Sequence, residues 1–402
     1  MSAYIGSGNA TANAAPQTAA GNDVTITVNN VQLGGWQEAH ISAGCERMPR
    51  SFELVCTEKY PGATSDVAIP VGSPCTIAIG GTPIITGFVD RAAPQISAGS
   101  HVIRVQGRGR CEDIVDCSAP GTDLSPDGIA GSMYTVTDLV QLATKLCKPF
   151  GINVISRLGP TIPMTIAGQN FPVPIMIVFG ESPYEVIERV ARYIQVLIYE
   201  DAQGNLILGR AGSEGNAASG FVQGVNVQDA GGMVAMDERF SVYQPAFLSY
   251  QQYGQGAEAL IPPVYDKTVP RFRPLYVVSE QVIAGNSLAQ ARAEWEMKRR
   301  WGRSQAFRVV CDSWRDAQGN LWTPNTVAPV AMPALKMVSQ NWVIGDVTFH
   351  RDAARGTVAE LVLMPPQAYA LEPQILAPFG WYNPDGSGGN AGAGAGHPVD
   401  NA

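Results

Sequence analysis

Hydrophobic and polar residues alternate in several short runs between residues 23 and 118. Val24, Ile26 and Val28 begin one run, and residues 51–56 form another. Residues 75–79 and 83–89 flank a Gly80-Gly81 turn, and residues 102–105 follow a turn at 97–100. A period of two is typical of a strand with one buried face. Without an intervening helical pattern, these runs predict a first small β-barrel-like domain at 23–118.

The spacing changes to a helical period in residues 119–200. Apolar residues recur at helical spacing from Leu139 to Leu146, and strand-like residues 152–155 follow. A second helix has stronger signals, because Ser182 is a preferred cap, Pro183 suits the first helical position and Glu185 completes a capping box. This mixture predicts a small α/β domain at 119–200.

Strand-like runs return in residues 201–372 around one further predicted helix at 287–301. Ser287 and Gln290 form its expected capping box, and Gly302 lies just past its expected end. Its apolar residues lie on two sides, and such a helix is usually covered on both. The candidates for packing or for a subunit interface are Leu288, Trp295, Met297 and Trp301. We therefore predict a second β-barrel-like domain at 201–372 with an inserted helix.

The two ends of the chain differ from the rest in composition. Residues 1–22 contain mainly Ala, Gly, Asn, Ser and Thr, and residues 373–402 are rich in Gly. Such segments cannot bury enough apolar surface to offset the entropy of ordering. We predict a flexible N-terminal arm at 1–22 and a flexible Gly-rich tail at 373–402.

The hexapeptide Asp-Ala-Gln-Gly-Asn-Leu occurs twice, at residues 201–206 and 316–321. Each copy lies between strand-like runs, and its Asp, Gly and Asn suit the backbone angles of a hairpin turn. Two interpretations are open. The recurrence is either good turn chemistry used twice or the trace of a duplicated β-module.

Composition supports a mixed, β-rich α+β protein. Of 402 residues, 45% are hydrophobic and only 15% are charged, and the chain has 43 Gly and 29 Pro. These values favour strands and turns over long solvated helices. No run of about 18 apolar residues and no secretory signal is visible, which predicts synthesis in a cytoplasm and no membrane-spanning segment. The seven cysteines are irregularly spaced, so we expect buried thiols rather than a disulfide framework.

The formal net charge is -8, and the acidic excess lies in the middle of the chain. Residues 111–285 contain 18 acidic and 10 basic side chains. This balance argues against tight binding to duplex DNA, which needs many phosphate contacts. A basic cluster at Lys298, Arg299, Arg300 and Arg303 could hold a phosphate. We favour the alternative that it complements the helix dipole and pairs with Glu294 and Glu296.

Signatures of catalysis, cofactor binding and metal binding are missing from the sequence. The four histidines follow no metal-binding spacing, and neither a Walker loop nor a Gly-x-Ser-x-Gly elbow occurs. Residues 254–259 approach a dinucleotide fingerprint, but Pro262 and Pro263 preclude the helix it requires. An acidic run lacks calcium-loop spacing and is expected to be a solvated surface; it comprises Glu112, Asp113, Asp116, Asp123 and Asp127.

Several stretches resemble the baseplate hub protein of Mu-like contractile-tailed bacteriophages, a family related to the hub of T-even phages. They are residues 51–54, 58–62, 84–90, 111–119, 271–275 and 293–296. The most specific stretch is residues 314–326, Trp-Arg-Asp-Ala-Gln-Gly-Asn-Leu-Trp-Thr-Pro-Asn-Thr. The resemblance covers about residues 23–370 and carries no catalytic motif.

The resemblance implies a structural virion protein in the tail baseplate. It implies a homotrimer whose two β-modules per chain form a ring of near sixfold symmetry. That ring would adapt the sixfold tail tube, or a tube-initiator protein, to the threefold central spike, and would contact other baseplate proteins. Viral DNA would pass through without specific binding. No cofactor is implied.

Two other functions stay open from the residues alone. The first is a tail-associated peptidoglycan hydrolase, in which Glu181 or Glu185 would be candidate acids. The second is a β-sandwich that binds host glycans through exposed Trp and Tyr side chains.

Overall fold

The structure is a computed structural model, and it describes residues 21–57, 69–98, 100–119, 133–166, 169–170, 173–247, 261–279 and 285–371. Within these ranges the chain forms strands and a few helices. The strands are β1 (Val24–Val28), β2 (Val31–Leu33), β3 (Glu38–Gly44), β4 (Ser51–Thr57), β5 (Pro74–Ile79), β6 (Thr82–Ser97), β7 (Ser100–Gly109), β8 (Met133–Val136), β9 (Val154–Ser156), β10 (Thr165–Ile166), β11 (Gln169–Asn170), β12 (Val173–Met176), β13 (Leu197–Glu200), β14 (Leu206–Gly209), β15 (Phe221–Val222), β16 (Val227–Val234), β17 (Val242–Phe247), β18 (Val264–Tyr265), β19 (Pro274–Ser279), β20 (Gln305–Cys311), β21 (Val327–Met332), β22 (Met337–Asp352) and β23 (Gly356–Met364). The helices are α1 (Glu112–Asp116), α2 (Leu139–Cys147), α3 (Pro183–Tyr193) and α4 (Gly285–Arg303), with single 3-10 turns at Lys148–Phe150, Pro333–Leu335 and Pro366–Tyr369.

Most of the strands belong to one sheet of thirteen strands. Its main path runs β16-β20-β23-β22-β3-β4-β7-β6-β5-β1-β2, and β15 and β21 form a side branch on β22. The pairing of these described strands is open and closes no barrel. The prediction of two barrel-like domains is therefore wrong in this respect. Alternating residues reveal which face of a strand is buried, but they do not reveal which strand pairs with it.

Five strands of this sheet are repeated in the same arrangement. The order β3-β4-β7-β6-β5 has the same pairing pattern as β16-β20-β23-β22-β21, and every pair is antiparallel. The third element in chain order, β5 or β21, has 6 residues in both sets. The fourth, β6 or β22, has 16 residues in both. We call the two sets the first and second modules.

Irregularities in strand pairing recur at equivalent positions of the two modules. The β6–β7 register shifts between Val89 and Arg91, and the β22–β23 register shifts between Ile344 and Asp346. A second shift follows Ile77 in β5 and Val330 in β21. Bulges are specific features of a strand pair. Their recurrence therefore fixes a residue-by-residue correspondence between the modules.

The repeated hexapeptide is not the marker of this duplication. Its first copy connects β13 and β14 outside both modules, and its second connects only a bridge between Arg315 and Leu321. The strand-like run expected after the second copy is therefore reduced to this bridge at Leu321. Both copies fold alike, because Asp201 Oδ1 accepts from Gln203 N and Asn205 N at 2.8 and 2.9 Å. The second copy repeats these bonds, so turn chemistry explains the recurrence.

The two modules meet edge to edge where β22 pairs antiparallel with β3. This junction, which we call the seam, runs from Asp346 opposite Gly44 to Arg351 opposite Ala39. On the buried face of the seam, Ile41 and Phe349 are both 0% exposed. One hydrophobic core therefore extends across both modules. The continuous backbone ladder joins the first and last thirds of the chain.

A pair of histidines faces the other side of the seam. His40 Nδ1 and His350 Nδ1 are 2.9 Å apart, so one ring donates and the other accepts. Burial, with Arg355 and His40 nearby, lowers the pKa of His350 to about 4. Glu360 lies 3.6 Å from His350 Nε2 and partly opposes this shift. His350 is therefore neutral at physiological pH.

The α/β domain packs on the modules through buried hydrogen bonds that involve Glu200 and Arg50. Glu200 at the end of β13 accepts hydrogen bonds from Arg50 N at 2.8 Å and Cys111 N at 2.9 Å. The Arg50 side chain donates to the carbonyl oxygens of Glu200 and Ile84. Burial raises the pKa of Glu200, whereas the Cys111 and Arg50 donors lower it. A side chain at Gly109 would overlap the Glu200 carboxylate, so this position requires glycine.

The helix signals of the sequence are accurate for α3 and less so for α4. The Ser182 and Glu185 capping box of α3 is confirmed. The observed helix α4 spans Gly285–Arg303 and is therefore longer than the predicted helix 287–301. Ser287 therefore lies inside the helix and the predicted capping box is wrong. Gly302 is also inside the helix, where a side chain would collide with the backbone of Ala368.

Removal of the Glu200 carboxylate should destabilise the protein strongly. Glu200→Ala removes the acceptor of the Arg50 and Cys111 backbone N–H groups. It also removes the negative charge that partly offsets the burial of the Arg50 guanidinium, in a side chain that is 6% exposed. We expect a loss of about 3–5 kcal/mol in unfolding free energy, measured by denaturant titration. The control is Glu53→Ala, which breaks the more exposed pair with Arg104 and should cost about 1 kcal/mol or less. Equal losses in the two variants would contradict a structural role for the buried pair.

Acid should weaken the seam through His350. The folded pKa lies below the unfolded value of 6.5, so stabilisation is complete above pH 6.5 and decreases as the pH falls towards 4. Denaturant titrations between pH 7 and 4 should show this decrease. In His350→Phe the unfolding free energy should decrease less over the same pH range. The decrease that is left comes from carboxylates that titrate in both proteins. Identical pH profiles would exclude His350 as the titrating group.

Candidate functional site

Helix α4 is the element that the sequence singled out for packing or assembly, and it is covered on one side by a small sheet. Strands β17, β18 and β19 form this sheet, with β17 parallel to β19. Ala293 is buried against Tyr243 and Val277 of the sheet, and Met297 packs beside them, partly buried. The sheet and α4 together form a two-layer unit between β16 and β20 of the second module.

The C-terminal segment 366–371 covers a second side of α4. Trp295 Nε1 donates to the Ala370 carbonyl oxygen at 2.8 Å, and the Arg299 guanidinium lies over the Trp295 ring, 5.8 Å from its centroid. Close contact continues at Gly302, whose missing side chain admits the backbone of Ala368. Ala293 and Met297 on one side of this helix and Trp295 on another are thus contacted within one chain. Trp301 is half-buried, and the Leu288 side chain lies outside the described residues.

The basic cluster at the end of α4 is engaged by carboxylates and carbonyls. Lys298 lies 3.7 Å from Glu294, and Arg300 lies 2.7 Å from Glu296. These pairs one turn back confirm the prediction for two of the four cations.

The other two cations have a partner that the sequence did not reveal. Arg299 and Arg303 both pair with Glu46, which follows β3, and both donate to the Ala368 carbonyl oxygen. No local spacing signals these contacts, because Glu46 is remote in sequence. The cluster therefore has few donors to offer a phosphate.

A cavity of about 340 Å³ lies between α3 and α4. Tyr184, Arg192 and Trp295 line it together with Cys45 and Leu371. Burial raises the pKa of the Cys45 thiol well above its usual range, so the reactive thiolate is not formed at neutral pH. Thiol nucleophilic chemistry is therefore disfavoured in this cavity.

The two acids proposed for a hydrolase, Glu181 and Glu185, form hydrogen bonds around the first turn of α3. Glu185 accepts a hydrogen bond from Ser182 N at 2.7 Å as part of the capping box. Glu181 pairs with Arg189 at 3.1 Å and accepts from Val178 N at 3.1 Å. Both carboxylates are thus occupied by local structure, which does not favour the hydrolase alternative.

The acidic run after β7 is organised around one arginine. Arg108 lies 2.7 Å from Asp90, 2.7 Å from Asp116 and 3.1 Å from Glu112. Burial and the nearby Asp90 raise the pKa of Glu112 to about 8. The predicted solvated surface is therefore wrong for Glu112, which is buried. Asp123 and Asp127 lie outside the described residues.

The remaining predicted features do not converge on a metal or dinucleotide site. Within the described ranges, no group of three or more His, Cys, Asp and Glu side chains could hold a metal ion. The glycine pattern at 254–259 and His397 lie outside those ranges, and His101 is exposed. The contact between His40 and His350 was not visible in the sequence, since it depends on strand pairing. In the part of the chain that is described, no helix is long and apolar enough to span a membrane.

Exposed aromatic side chains lie on the face of the small sheet opposite α4. Tyr265 is 59% exposed and Tyr276 is 65% exposed, and Phe272, in the segment that connects β18 to β19, is 81% exposed. Among the described tryptophans none is exposed. The glycan-binding alternative, which required exposed Trp as well as Tyr, is therefore not favoured.

Family comparisons agree with this arrangement along most of the chain. Residues 23–109 match the N-terminal domain described as Mu phage baseplate assembly protein GpP-like. Residues 111–210 match the second domain of the baseplate hub protein gp44-like family, and residues 285–372 match the fourth domain of Mu phage baseplate assembly protein GpP. The first and fourth domains coincide with parts of the two modules.

Comparisons with individual proteins extend over nearly the same length. The chain is 26% identical over 357 residues to the baseplate hub protein gp44 of Escherichia phage Mu, which covers 87% of this chain and 89% of that protein. A tail protein from Neisseria meningitidis has a similar fold, with a TM-score of 0.67 at 19% identity over 87% of this chain and 99% of that chain. The 43 kDa tail protein of prophage MuSo2 from Shewanella oneidensis is 30% identical, with a TM-score of 0.72, over 87% of this chain and 99% of that chain. The protein thus belongs to the family of Mu-like phage baseplate hub proteins.

Proposed function

We propose that this hub protein is a homotrimeric adaptor at the centre of a contractile tail baseplate. In this role it joins the sixfold tail tube, or a tube-initiator protein, to the threefold central spike. The chain divides into the arm 1–22, the first β-domain 23–118, the α/β domain 119–200, the second β-domain 201–372 and the tail 373–402. Synthesis takes place in the host cytoplasm, and the protein functions in the virion.

The observation that carries this proposal is the duplicated module within one chain. Three chains contribute six copies of the same five-strand arrangement, which matches a sixfold partner on one side. The parts that differ between modules, such as the α/β domain and the unit of α4 with the small sheet, occur once per chain. They supply the threefold features that a spike or other baseplate proteins would contact.

The charge distribution supports passage of viral DNA without adhesion. Each chain has a net charge of -8, and the basic residues of α4 are engaged by carboxylates and carbonyls. A like-charged wall repels phosphate within about 8 Å at physiological salt. Acidic residues of segment 111–285 would form part of such a wall.

No catalytic role is included in this proposal. The buried Glu200 carboxylate has structural partners, and burial raises the pKa of the Cys45 and Cys147 thiols. The relatives are described as baseplate and tail proteins. The function therefore depends on assembly geometry rather than on reaction chemistry.

The purified protein should have a mass of three chains of 42.7 kDa each. Light scattering coupled to gel filtration at micromolar concentration measures this mass directly. The mass should be constant on dilution, because obligate interfaces are large. A stable monomer or an even-numbered oligomer would contradict the adaptor geometry.

Double-stranded DNA should not bind the isolated protein in a salt-sensitive manner. Fluorescence anisotropy with a labelled duplex, measured between about 50 and 200 mM salt, tests this expectation. Submicromolar binding that weakens steeply with salt would show released counterions and would overturn the conduit. A hub trimer would still be consistent with that result.

A further inference from the structure

Two of the longer strand edges of the thirteen-stranded sheet pair with no other strand among the described residues. One is the outer edge of β16 after the bridge between Val227 and Gln223, and the other is residues 91–96 of β6, beyond its pairing with β5. Apolar side chains are exposed along both edges, with Met233 at 65%, Val234 at 67% and Ile96 at 79%. Natural proteins usually protect such edges with charge, bulges or a partner.

The two free edges are the module counterparts of the two strands that meet at the seam. In the correspondence between the modules, β3 matches β16 and β6 matches β22, because the pairing order and the bulges agree. In the seam, β3 of the first module pairs with β22 of the second. The equivalent surfaces left over in each chain are β16 and the outer half of β6.

Backbone groups on both edges point outward in the same alternation as in the seam. Ala235 N donates to Ser304 O at 2.8 Å, so the antiparallel alternation directs the backbone of Ala230, Gly232 and Val234 away from β20. Ser97 pairs with Ser100 at the β6–β7 turn. The same alternation therefore directs the backbone of Ala92, Pro94 and Ile96 away from β7.

We propose that β16 of one copy pairs antiparallel with the outer half of β6 of the next copy, in the register of the seam. This inference rests on the proposed homotrimer and specifies its junction. Transfer of the seam register predicts that Ala92 lies opposite Val234, Ala93 opposite Met233, Pro94 opposite Gly232, Gln95 opposite Gly231 and Ile96 opposite Ala230. A second copy of this chain is thus the occupant of both edges.

Side-chain sizes at the junction are compatible with this register. Pro94 lacks an N–H group and loses one hydrogen bond, but its carbonyl oxygen can still accept from Gly232. Gly232 opposite it has no side chain of its own, and the Phe307 ring of the same chain fills the space beside this glycine. A side chain built at Gly231 would meet no atom within 4 Å, so this part of the edge is open to an approaching strand.

Each copy offers two different edges, so the contact is head-to-tail. Such contacts form a ring when the rotation between neighbours closes. The seam applies one rotation between the modules of a chain, and the junction applies the same rotation between chains. Six modules in three copies then share one type of contact.

Disulfide cross-linking tests the register. In a Cys117→Ser background, which removes the exposed native thiol, Ala93→Cys with Met233→Cys should form a bond between copies. The seam counterparts of these residues are Thr348 and Ser42, whose hydroxyl oxygens are 3.2 Å apart. Such directly opposed pairs fall within disulfide range. Mild oxidation should yield covalent trimers on non-reducing gels, with no larger species.

Two matched variants control for accessibility and chemistry. Ala93→Cys with Val234→Cys shifts the register by one residue and turns one thiol to the other face, so it should not cross-link. Ser42→Cys with Thr348→Cys should close a bond within one chain and show that oxidation was effective. Light scattering on the reduced proteins records the assembly state. A trimer that cross-links only through the shifted pair, or through neither pair, overturns this junction and leaves the trimer standing. A monomer overturns both.

Discussion

Strand edges must find hydrogen-bond partners, and the architecture of this protein depends on how the edges of its two modules do so. The backbone of a buried edge carries donors and acceptors that are costly to leave unpaired. At the seam, β22 and β3 satisfy each other and place residues such as Phe349 and Ile41 in a common core. Segments separated by about three hundred residues in sequence thereby become neighbours in one sheet.

The elements that are not duplicated are positioned by this sheet. The α/β domain between the modules is held by Glu200, which receives two backbone hydrogen bonds and the charge of Arg50. The unit of α4 with its small sheet lies within the second module, between β16 and β20. The chain enters this unit from β16 and leaves it into β20. Helix α4 also contacts residues 366–371, which follow the last strand of the second module, through hydrogen bonds from Trp295 and Arg299 to the Ala370 carbonyl oxygen.

The charged side chains described above hold structural elements in place. Arg108 and Arg303 each pair with carboxylates of other elements, and Arg300 donates to the Glu238 carbonyl oxygen outside its own helix. His350 in the seam is neutral at physiological pH, and burial keeps the Cys45 thiol protonated. This pattern suits a hub protein, in which the accurate placement of surfaces decides assembly.

Local patterns in the sequence determined much of the secondary structure but little of its arrangement. Alternation located β4 and β5, and the Ser182 to Glu185 signal located α3, because period and capping depend on neighbours within a few residues. The resemblance to hub proteins identified the family from short motifs. A trace of the duplication is also present, since Phe52-Glu53-Leu54-Val55-Cys56 corresponds to Phe307-Arg308-Val309-Val310-Cys311. That trace is too short to be interpreted without the strand order, and the more conspicuous hexapeptide repeat marks only a turn.

Only the tertiary structure decided which edges and charges meet. The seam, the contact of His40 with His350 and the pairing of Glu46 with Arg303 join residues far apart in the chain. No sequence period encodes such contacts, because they follow from the register of paired strands and from the close approach permitted at Gly302. The end of α4 was misjudged for the same reason. A glycine that usually stops a helix is retained here inside it, since only the absent side chain lets the C-terminal segment pack against the helix.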